Sequence, residues 1–307
     1  MSTRDILVVA HAQRADTVAA AGRVIAGLVA AGARPVLPGD DEDLIRALTG
    51  VGEFAVLGVD VPVEQIELVI VLGGDGTILR AAEIVRDGSA PVLGINMGHV
   101  GFLAEIEADD LDEAMRRVIA RDYEVEERMT LSVRVKDADG TVIYETWALN
   151  EATIEKASRE RMIEVVIEID GRPLSTFGCD GMVVATPTGS TAYNFSAGGP
   201  VIWPSVEAIA LVPLSAHALF ARPLVVGPEA SVAIEVLART YGTGIMWCDG
   251  RRSHDLPPGA RVVVRRSPHP VRLARLHPAP FTDRLVRKFR LPVSGWRGPA
   301  GTVMEAE

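Results

Sequence analysis

The first third of the chain alternates short apolar runs with longer stretches in which apolar residues recur every three or four positions. The short runs predict buried strands, and the longer stretches predict helices. Strands are expected at residues 6–10, 34–37, 68–72 and 91–96, with helices at 15–31, 43–48, 77–85 and from Asp109 or Asp110, as the capping residue, to about 119. This alternation predicts a parallel sheet with helices on its faces.

From residue 123 onward, short strands follow one another, and Asp-Gly pairs stand at 139–140, 170–171, 180–181 and 249–250. An Asp-Gly pair between alternating apolar runs is typical of a β-hairpin. Hairpins are expected for 131–136 with 141–147 and for 163–169 with 172–177, and further strands at 146–149, 232–237, 244–247, 261–266 and 271–276. We therefore predict an α/β domain over residues 1–122, an antiparallel β domain over 123–276, and a tail over 277–307 whose short basic helix packs back on the first domain.

The amino-acid composition limits the partners and the cellular location that the protein can have. The 307 residues contain 31 Lys and Arg against 41 Asp and Glu, a net charge of −10, which argues against nucleic acid or an anionic membrane as a partner. No stretch approaches the roughly 18 apolar residues of a membrane span. The two cysteines, Cys179 and Cys248, are too few for a disulfide framework, so we expect a soluble protein of the cytoplasm.

The most informative stretch is the end of the third predicted strand, where Gly73, Gly74 and Gly76 surround Asp75 and Thr77 follows. A strand, a glycine turn and a helix start form a cradle for phosphate, because backbone N–H groups and the helix N-terminus face the anion. Asp75 would repel a phosphate unless it holds Mg²⁺ or accepts a proton from an attacking hydroxyl. The stretch therefore indicates either a phosphoryl-transfer site or a tight turn in which Asp75 caps the helix.

Three further stretches carry polar chemistry. A second glycine-rich loop, residues 94–103, follows the next strand and should lie at the same sheet edge; its His99 is expected to be an ordinary loop residue. Asn150 and Glu151 end another predicted strand and suit ribose hydroxyls. The run from Asp180 to Tyr193 combines hydroxyls, a glycine and an aromatic ring, which suit a nucleotide, although a Ser/Thr-rich turn is the alternative. The fingerprint G-x-G-x-x-G is absent after the first strand, which disfavours a dehydrogenase.

Together these motifs resemble the bacterial NAD kinase family, actinobacterial type. The resemblance spans roughly residues 6–296 and rests on Gly73-Gly74-Asp75-Gly76-Thr77, Asn150-Glu151, Asp180-Gly181, the run Thr186-Pro187-Thr188-Gly189-Ser190-Thr191-Ala192-Tyr193 and Ser196-Ala197-Gly198-Gly199-Pro200. It implies a Rossmann-like N-terminal domain, a C-terminal β-sandwich and a homo-oligomer, a dimer or tetramer.

The resemblance also implies residue roles. Asp75 matches the catalytic base, and Gly73, Gly74, Gly76 and Thr77 match the phosphate-donor loop. Positions matched to NAD binding are Asp75, Gly76, Arg80, Asn150, Glu151, Arg161, Asp180, Thr191, Ala192, Tyr193, Asn194, Phe195 and Ser196. Residues 215–217 and Arg251 depart from the family pattern, which leaves their contacts undefined.

The expected activity is transfer of the terminal phosphoryl group of ATP, or of inorganic polyphosphate, to the 2′-hydroxyl of the adenosine ribose of NAD. ATP and NAD would be substrates and Mg²⁺ the cofactor, with no metal ligands assigned. The alternatives are a kinase of the diacylglycerol-kinase or phosphofructokinase-like class, which shares only the Asp75 loop, and a non-catalytic NAD-binding regulator. The sequence does not define the donor range, acceptance of NADH or regulation.

Overall fold

The computed structural model describes residues 3–50, 52–98, 101–158, 161–239, 243–276 and 280–293. The prediction for His99 and those for residues 277–279 and 294–307 of the tail lie outside the described residues. The chain divides into two compact units: unit 1 consists of the described residues within Met1–Glu126 and Arg272–Glu307, and unit 2 is Glu127–Val271. Over the described ranges, none of the helices has the length and apolar character needed to cross a membrane.

The strands are β1 (Asp5–Ala10), β2 (Arg34–Leu37), β3 (Ala55–Val56), β4 (Ile66–Leu72), β5 (Val92–Asn96), β6 (Ile106–Glu107), β7 (Glu124–Arg128), β8 (Leu131–Lys136), β9 (Val142–Ala148), β10 (Glu151–Lys156), β11 (Ile163–Ile169), β12 (Arg172–Cys179), β13 (Gly181–Ala185), β14 (Ile209–Leu214), β15 (Leu224–Val226), β16 (Val232–Val236), β17 (Gly244–Cys248), β18 (Arg252–Leu256), β19 (Arg261–Arg266) and β20 (Val271–Arg275). The helices are α1 (Ala15–Ala30), α2 (Glu42–Leu48), α3 (Asp75–Ile84), α4 (Leu111–Ala120), α5 (Tyr193–Ser196) and α6 (Phe281–Phe289).

Unit 1 is built on a sheet of order β3-β2-β1-β4-β5-β20-β7, with β6 beside β5. Strands β1, β2, β4 and β5 are parallel, and the register sets Ala10 beside Leu72 and Leu72 beside Ile95. The strands of this parallel group therefore end at one edge, where their loops meet. Helices α1 and α4 bury their apolar residues in one core with alternate residues of these strands. The predicted α/β fold class is confirmed for this part of the chain.

Unit 2 is a sandwich of two six-stranded sheets, β15-β14-β13-β10-β17-β18 and β12-β11-β16-β19-β8-β9, whose inward residues form one core. The predicted β-sandwich is confirmed. Three of the four Asp-Gly pairs lie in hairpin turns, β8–β9, β11–β12 and β17–β18. At two of them both residues have positive φ, as in Asp249 (55°) and Gly250 (64°), a conformation that suits Asp-Gly.

Two predictions of strand pairing are wrong. Asp180-Gly181 does not form a hairpin, because β12 and β13 belong to different sheets. Strand β20, predicted in the antiparallel domain, instead runs parallel to β5, with Leu273 beside Val92. Alternation alone does not distinguish these partners. The two compact units divide at 126/127, four residues from the expected boundary, and the chain crosses back to unit 1 at 271/272. Asp110 is the N-cap residue of α4, as predicted, but its side chain makes no cap hydrogen bond.

The basic helix of the tail, α6, belongs to unit 1. Its Phe281 and Phe289 rings lie 6.1 and 5.7 Å from the ring of Phe102, measured between centroids. Phe102 is in the loop between β5 and β6. The helix is therefore packed on a loop at the carboxyl edge of the parallel sheet.

Candidate active site

The glycine-rich loop after β4 has the geometry of an open turn. Gly73 donates its N–H to the carbonyl of Ile95 at 3.0 Å, and a Cβ on Gly73 would lie 2.5 Å from the hydroxyl of Thr77, so a side chain is excluded there. Among the residues that the structure describes, none has an atom within 4 Å of a Cβ built on Gly74 or Gly76. The backbone around these two glycines is therefore accessible to a ligand, as a phosphate cradle requires.

Asp75 is the first residue of α3 and is not its cap. The N-cap is Gly74 and Asp75 is the residue after it, so the alternative of Asp75 as the capping residue is wrong. The Asp75 carboxylate instead accepts hydrogen bonds from the backbone N–H groups of Phe102 (3.0 Å) and Leu103 (3.1 Å). Gly101 lies so close that a Cβ there would clash with the carboxylate. The second glycine-rich loop thus lies beside the first, as predicted.

Arg80, a predicted NAD-binding residue, pairs with two carboxylates near the start of α2. Five helical positions separate it from Asp75, which turns the two side chains about 140° apart around the axis of α3. Its guanidinium donates to Asp41 at 2.7 Å and lies 3.4 Å from Asp40. Asp41 also accepts from the N–H of Leu44 as the N-cap of α2. Arg80 therefore ties α3 to α2, and the structure does not place it beside Asp75.

In unit 2, Asn150 lies in the bend that follows β9, as predicted, and Glu151 is the first residue of β10. The Asp249 carboxylate accepts from the backbone N–H groups of Leu149 (2.9 Å), Asn150 (2.7 Å) and Glu151 (3.3 Å). It is also paired with Arg252 at 2.8 Å. Asp249 therefore fixes the backbone that carries the Asn-Glu pair, a role that the sequence indicated only as a hairpin turn.

Glu151 is a buried carboxyl, and within the described part of the chain its Oε2 has no hydrogen-bond partner. Burial, with a further contribution from the charge of Asp249, raises the pKa of Glu151 to about 8, while the backbone N–H of Tyr193 opposes this shift. Burial also raises the pKa of Asp249. Because Asp249 has three N–H donors and a guanidinium, it keeps the negative charge, and Glu151 holds the proton at neutral pH. Glu151 thus presents a neutral acid with donor and acceptor capacity.

The hydroxyl-rich run after β13 is partly used to build its own turn. Thr186 donates to the carbonyl of Leu149 at 2.5 Å, and Ser190 donates to that of Pro187 at 2.7 Å. The N–H of Ile202 donates back to the Ser190 hydroxyl at 2.9 Å. These buried hydroxyls are structural, and this is the part of the run for which the Ser/Thr-turn interpretation holds.

The remaining residues of this segment divide by exposure. Asn194 is fully buried, and its amide donates to the carbonyls of Ser190 and Pro200, both at 3.1 Å, so its side chain holds the turn. In contrast, Tyr193, Phe195 and Ser196 are exposed, and Thr191 and Ala192 are half-buried. Their side chains are accessible to a ligand.

Asp180 is held by a partner that sequence reasoning missed. The ammonium of Lys156 lies 2.5 Å from Asp180, and hydrogen bonding to it is the main cause that lowers the pKa of this carboxyl; Ser215 also contributes a hydrogen bond. Ser215, in the segment left undefined by sequence, has a positive φ of 47°. Arg161, another predicted site residue, is exposed. The Asp180 carboxylate is thus ionised and oriented within unit 2.

Comparisons with known proteins agree with these features. Residues 57–123 match the ATP-NAD kinase N-terminal domain, and residues 149–276 match the ATP-NAD kinase C-terminal domain. An NAD kinase of Leifsonia xyli is 67% identical over 97% of this chain and 98% of that protein, and an NAD kinase of Thermobifida fusca is 56% identical over 97% and 93%.

Solved structures show the same fold. A yeast NADH kinase crystallised with NADH aligns with a TM-score of 0.85 at 22% identity, over 96% of this chain and 90% of that one. An Archaeoglobus fulgidus NAD kinase in complex with ATP aligns with a TM-score of 0.72 at 25% identity, over 93% and 98%. Both family domains and full-length relatives at high identity match, and the chain therefore belongs to the NAD kinase family.

Proposed function

We propose that this protein is an NAD kinase that transfers the terminal phosphoryl group of ATP to the 2′-hydroxyl of the adenosine ribose of NAD, forming NADP. The observation that carries the proposal is the Asp75 carboxylate, held by two backbone N–H groups in a turn whose glycines leave the backbone open. The family resemblance of both sequence segments supports the choice of substrates.

Asp75 is proposed as the general base. A ribose hydroxyl is a weak nucleophile at neutral pH, so a carboxylate must accept its proton as the phosphoryl group is transferred. Each oxygen of Asp75 accepts one hydrogen bond, from Phe102 or Leu103, and retains further lone pairs for the hydroxyl. The two N–H groups hold the carboxylate in one orientation, which reduces the entropy lost when substrate, donor and base align.

The donor phosphates are proposed to lie along the backbone of Gly73, Gly74 and Gly76, near Thr77 and the N-terminus of α3. Backbone N–H groups there would stabilise the charge that develops on the transferred group. The chain lacks the Gly-Lys-Ser/Thr signature of Walker-type sites, so these N–H groups replace a phosphate-binding lysine within the loop.

Mg²⁺ is proposed to accompany the donor. The described residues contain no cluster of three or more acidic, His or Cys side chains that could hold a metal by themselves. This fits Mg²⁺, which is commonly bound by substrate phosphates and only one or two carboxylates. Asp75 is the carboxylate of the loop that would contact it. When bound, the ion neutralises phosphate charge.

NAD is proposed to bind in unit 2 through Asn150, Glu151 and Asp180, and Gly76 of the donor loop stays a predicted NAD-binding residue. The amide of Asn150 and the neutral carboxyl of Glu151 offer donors and acceptors to ribose hydroxyls, and the ionised Asp180 suits the nicotinamide amide. The residues proposed to line the adenosine are Thr191, Ala192, Tyr193, Phe195 and Ser196. Arg161 is retained as a candidate phosphate contact.

The two alternative functions would each require only some of the residues found here. A lipid or sugar kinase would need the Asp75 loop alone, and nothing would then require the Asp249-supported Asn-Glu pair in unit 2. A non-catalytic regulator would need no carboxylate at Asp75.

We also propose that inorganic polyphosphate is a second donor, that the protein is a dimeric or tetrameric homo-oligomer and that it is located in the cytoplasm. The cytoplasmic location fits the two buried, unpaired cysteines, Cys179 and Cys248.

The direct test is NADP⁺ formation by the purified protein, measured with a coupled dehydrogenase assay. NAD or NADH is offered with ATP or polyphosphate, each with and without Mg²⁺. The proposal predicts Mg²⁺-dependent NADP⁺ formation from NAD and ATP. If a sugar or diacylglycerol is phosphorylated instead, the proposal is wrong. If NAD binds without turnover under every condition, the regulator is supported.

A further inference from the structure

The loop at residues 101–105 connects Asp75 to the C-terminal helix α6. On one side, the N–H groups of Phe102 and Leu103 donate to the Asp75 carboxylate at 3.0 and 3.1 Å. On the other side, the carbonyl groups of the same loop accept hydrogen bonds from arginines that come from the C-terminal part of unit 1. The proposed catalytic base and the last helix therefore share one short segment.

Arg284 of α6 makes the most extensive contacts with this segment. Its Nη1 donates to the carbonyls of Phe102 (2.9 Å) and Ala104 (3.1 Å), and its Nη2 donates to the Glu105 carboxylate at 2.8 Å. The side chain of Arg284 is 13% exposed and that of Glu105 only 1%. Three hydrogen bonds from one planar group fix the loop backbone, a geometry that a lysine cannot reproduce.

One peptide unit links the two groups directly. The carbonyl of Phe102 accepts from Arg284, and the N–H of the same peptide plane, that of Leu103, donates to Asp75. A cationic donor on the carbonyl polarises the peptide and strengthens the hydrogen bond made by its N–H. The position and the donor strength of this N–H thus both depend on Arg284.

Other contacts support the same arrangement. Arg275 of β20 donates to the carbonyl of Leu103 at 3.3 Å and to Glu105 at 2.9 Å. The ring of Phe102 packs against those of Phe281 and Phe289 of α6. Charge pairing and ring packing therefore act together to hold the loop on α6.

We propose that Arg284 is a positioning residue for Asp75, and that α6 is a clasp that keeps residues 101–105 against the carboxylate. The proposal rests on the assigned role of Asp75 as the base of the kinase. Since a base must be aligned to within a fraction of an ångström in the transition state, loosening the clasp lowers kcat more than it changes substrate binding.

The test compares Arg284→Lys with the matched control Arg287→Lys, which makes the same change at an exposed position of the same helix. Lysine keeps a charge for Glu105 but cannot bridge both carbonyls. We expect kcat to fall about tenfold in Arg284→Lys, with KM for NAD and ATP within about twofold of the parent values. Amide hydrogen exchange of peptides covering residues 101–105 should become faster. Arg287→Lys should match the parent in all of these measurements.

A second variant, Phe281→Leu, weakens the ring packing and leaves the buried charges unchanged. It tests the proposal if Arg284→Lys does not fold. It should show the same pattern with a smaller loss of kcat. A parent-like kcat in the folded variants, or an equal loss in Arg287→Lys, would overturn the proposal. If the parent itself forms no NADP⁺, the proposed function fails, whereas hydrogen exchange still tests the clasp: unchanged exchange at residues 101–105 in Arg284→Lys would contradict it.

Discussion

The Asp249 carboxylate accepts a hydrogen bond of 2.7 Å from the backbone N–H of Asn150, a residue 99 positions earlier in the chain. The same carboxylate accepts from the N–H groups of Leu149 and Glu151 and pairs with Arg252. A residue at a hairpin turn thereby determines where the Asn-Glu pair stands at the start of β10.

We expect Asp249→Asn to destabilise unit 2 and to weaken NAD binding. Asparagine has one carbonyl oxygen in place of two carboxylate oxygens, so at least one buried N–H loses its acceptor, at a cost of about 1–3 kcal/mol. Urea denaturation should show a lower free energy of unfolding, and calorimetry a higher Kd for NAD. Asp255→Asn, an exposed position on β18, is the matched control and should change neither. If Asp249→Asn leaves both quantities at the parent values, Asp249 does not support the pair.

Because of Glu151, the free energy of unfolding should fall as the pH rises. Burial and the charge of Asp249 raise its pKa from the ordinary 4.5 to about 8. The unfolded chain releases this proton near pH 4.5 while the folded protein keeps it, so this contribution to stability is full below pH 4.5 and is lost by about pH 8. Glu151→Gln cannot titrate. The difference in unfolding free energy, variant minus parent, should therefore increase by about 1.4 kcal/mol per pH unit between these limits.

Chemical denaturation of the parent and Glu151→Gln at pH 5 and pH 8 measures this difference. The control is Glu145→Gln, which makes the same substitution at an exposed position of β9. Parallel stability curves for Glu151→Gln and the parent would show that Glu151 is ionised in the folded protein at neutral pH.

Asn150→Ala and Asp180→Ala should each raise the Kd for NAD about 10- to 100-fold, because each removes hydrogen bonds worth roughly 1–3 kcal/mol in a desolvated site. The backbone of Asn150 keeps its contact with Asp249, so the fold should persist. Isothermal titration calorimetry gives the affinities, and thermal denaturation checks folding. Asp139→Ala, at the exposed β8–β9 turn, serves as the control. An unchanged Kd in both site variants would exclude these residues from NAD binding.

The protein is expected to be a homo-oligomer formed partly through unit 2. Several large apolar side chains of this unit are exposed, among them Leu174, Leu219 and Phe220. Apolar surface of this kind favours burial between subunits. Light scattering at micromolar concentration should give a mass of two or four chains. A fully active monomer at that concentration would contradict the expectation.

Local sequence was sufficient for much of the architecture. Apolar runs and glycine turns located β1, β4 and β5, and the Asp-Gly pairs at 139–140, 170–171 and 249–250 located three hairpins, because these signals act within a few residues. Strand β20 was assigned to the wrong sheet because its partner β5 lies about 180 residues away, and a strand's own pattern does not identify a distant neighbour.

In the candidate site, too, local sequence identified some residues but not the residues that support them. Asp75 and the Asn-Glu pair were singled out from their local chemistry. Asn194 was grouped with its exposed neighbours, whereas its side chain turns inward to Ser190 and Pro200. The supporting roles of Asp249, Lys156 and Arg284 depend on contacts across long stretches of chain and carry no local signal in the sequence.

The most direct test of the central claim is the effect of Asp75→Asn on kcat for NADP⁺ formation, with NAD binding measured by calorimetry on the same preparation. Asparagine keeps the size of the side chain and one acceptor for the N–H groups of Phe102 and Leu103, but it cannot accept the proton of the ribose hydroxyl. Asp87→Asn, an exposed position after α3, is the control and should behave as the parent. The account predicts that kcat falls by about 10²–10⁴-fold, the contribution of a positioned general base, while the Kd for NAD stays within a few-fold of the parent value. A kcat within tenfold of the parent would contradict it and place the base elsewhere.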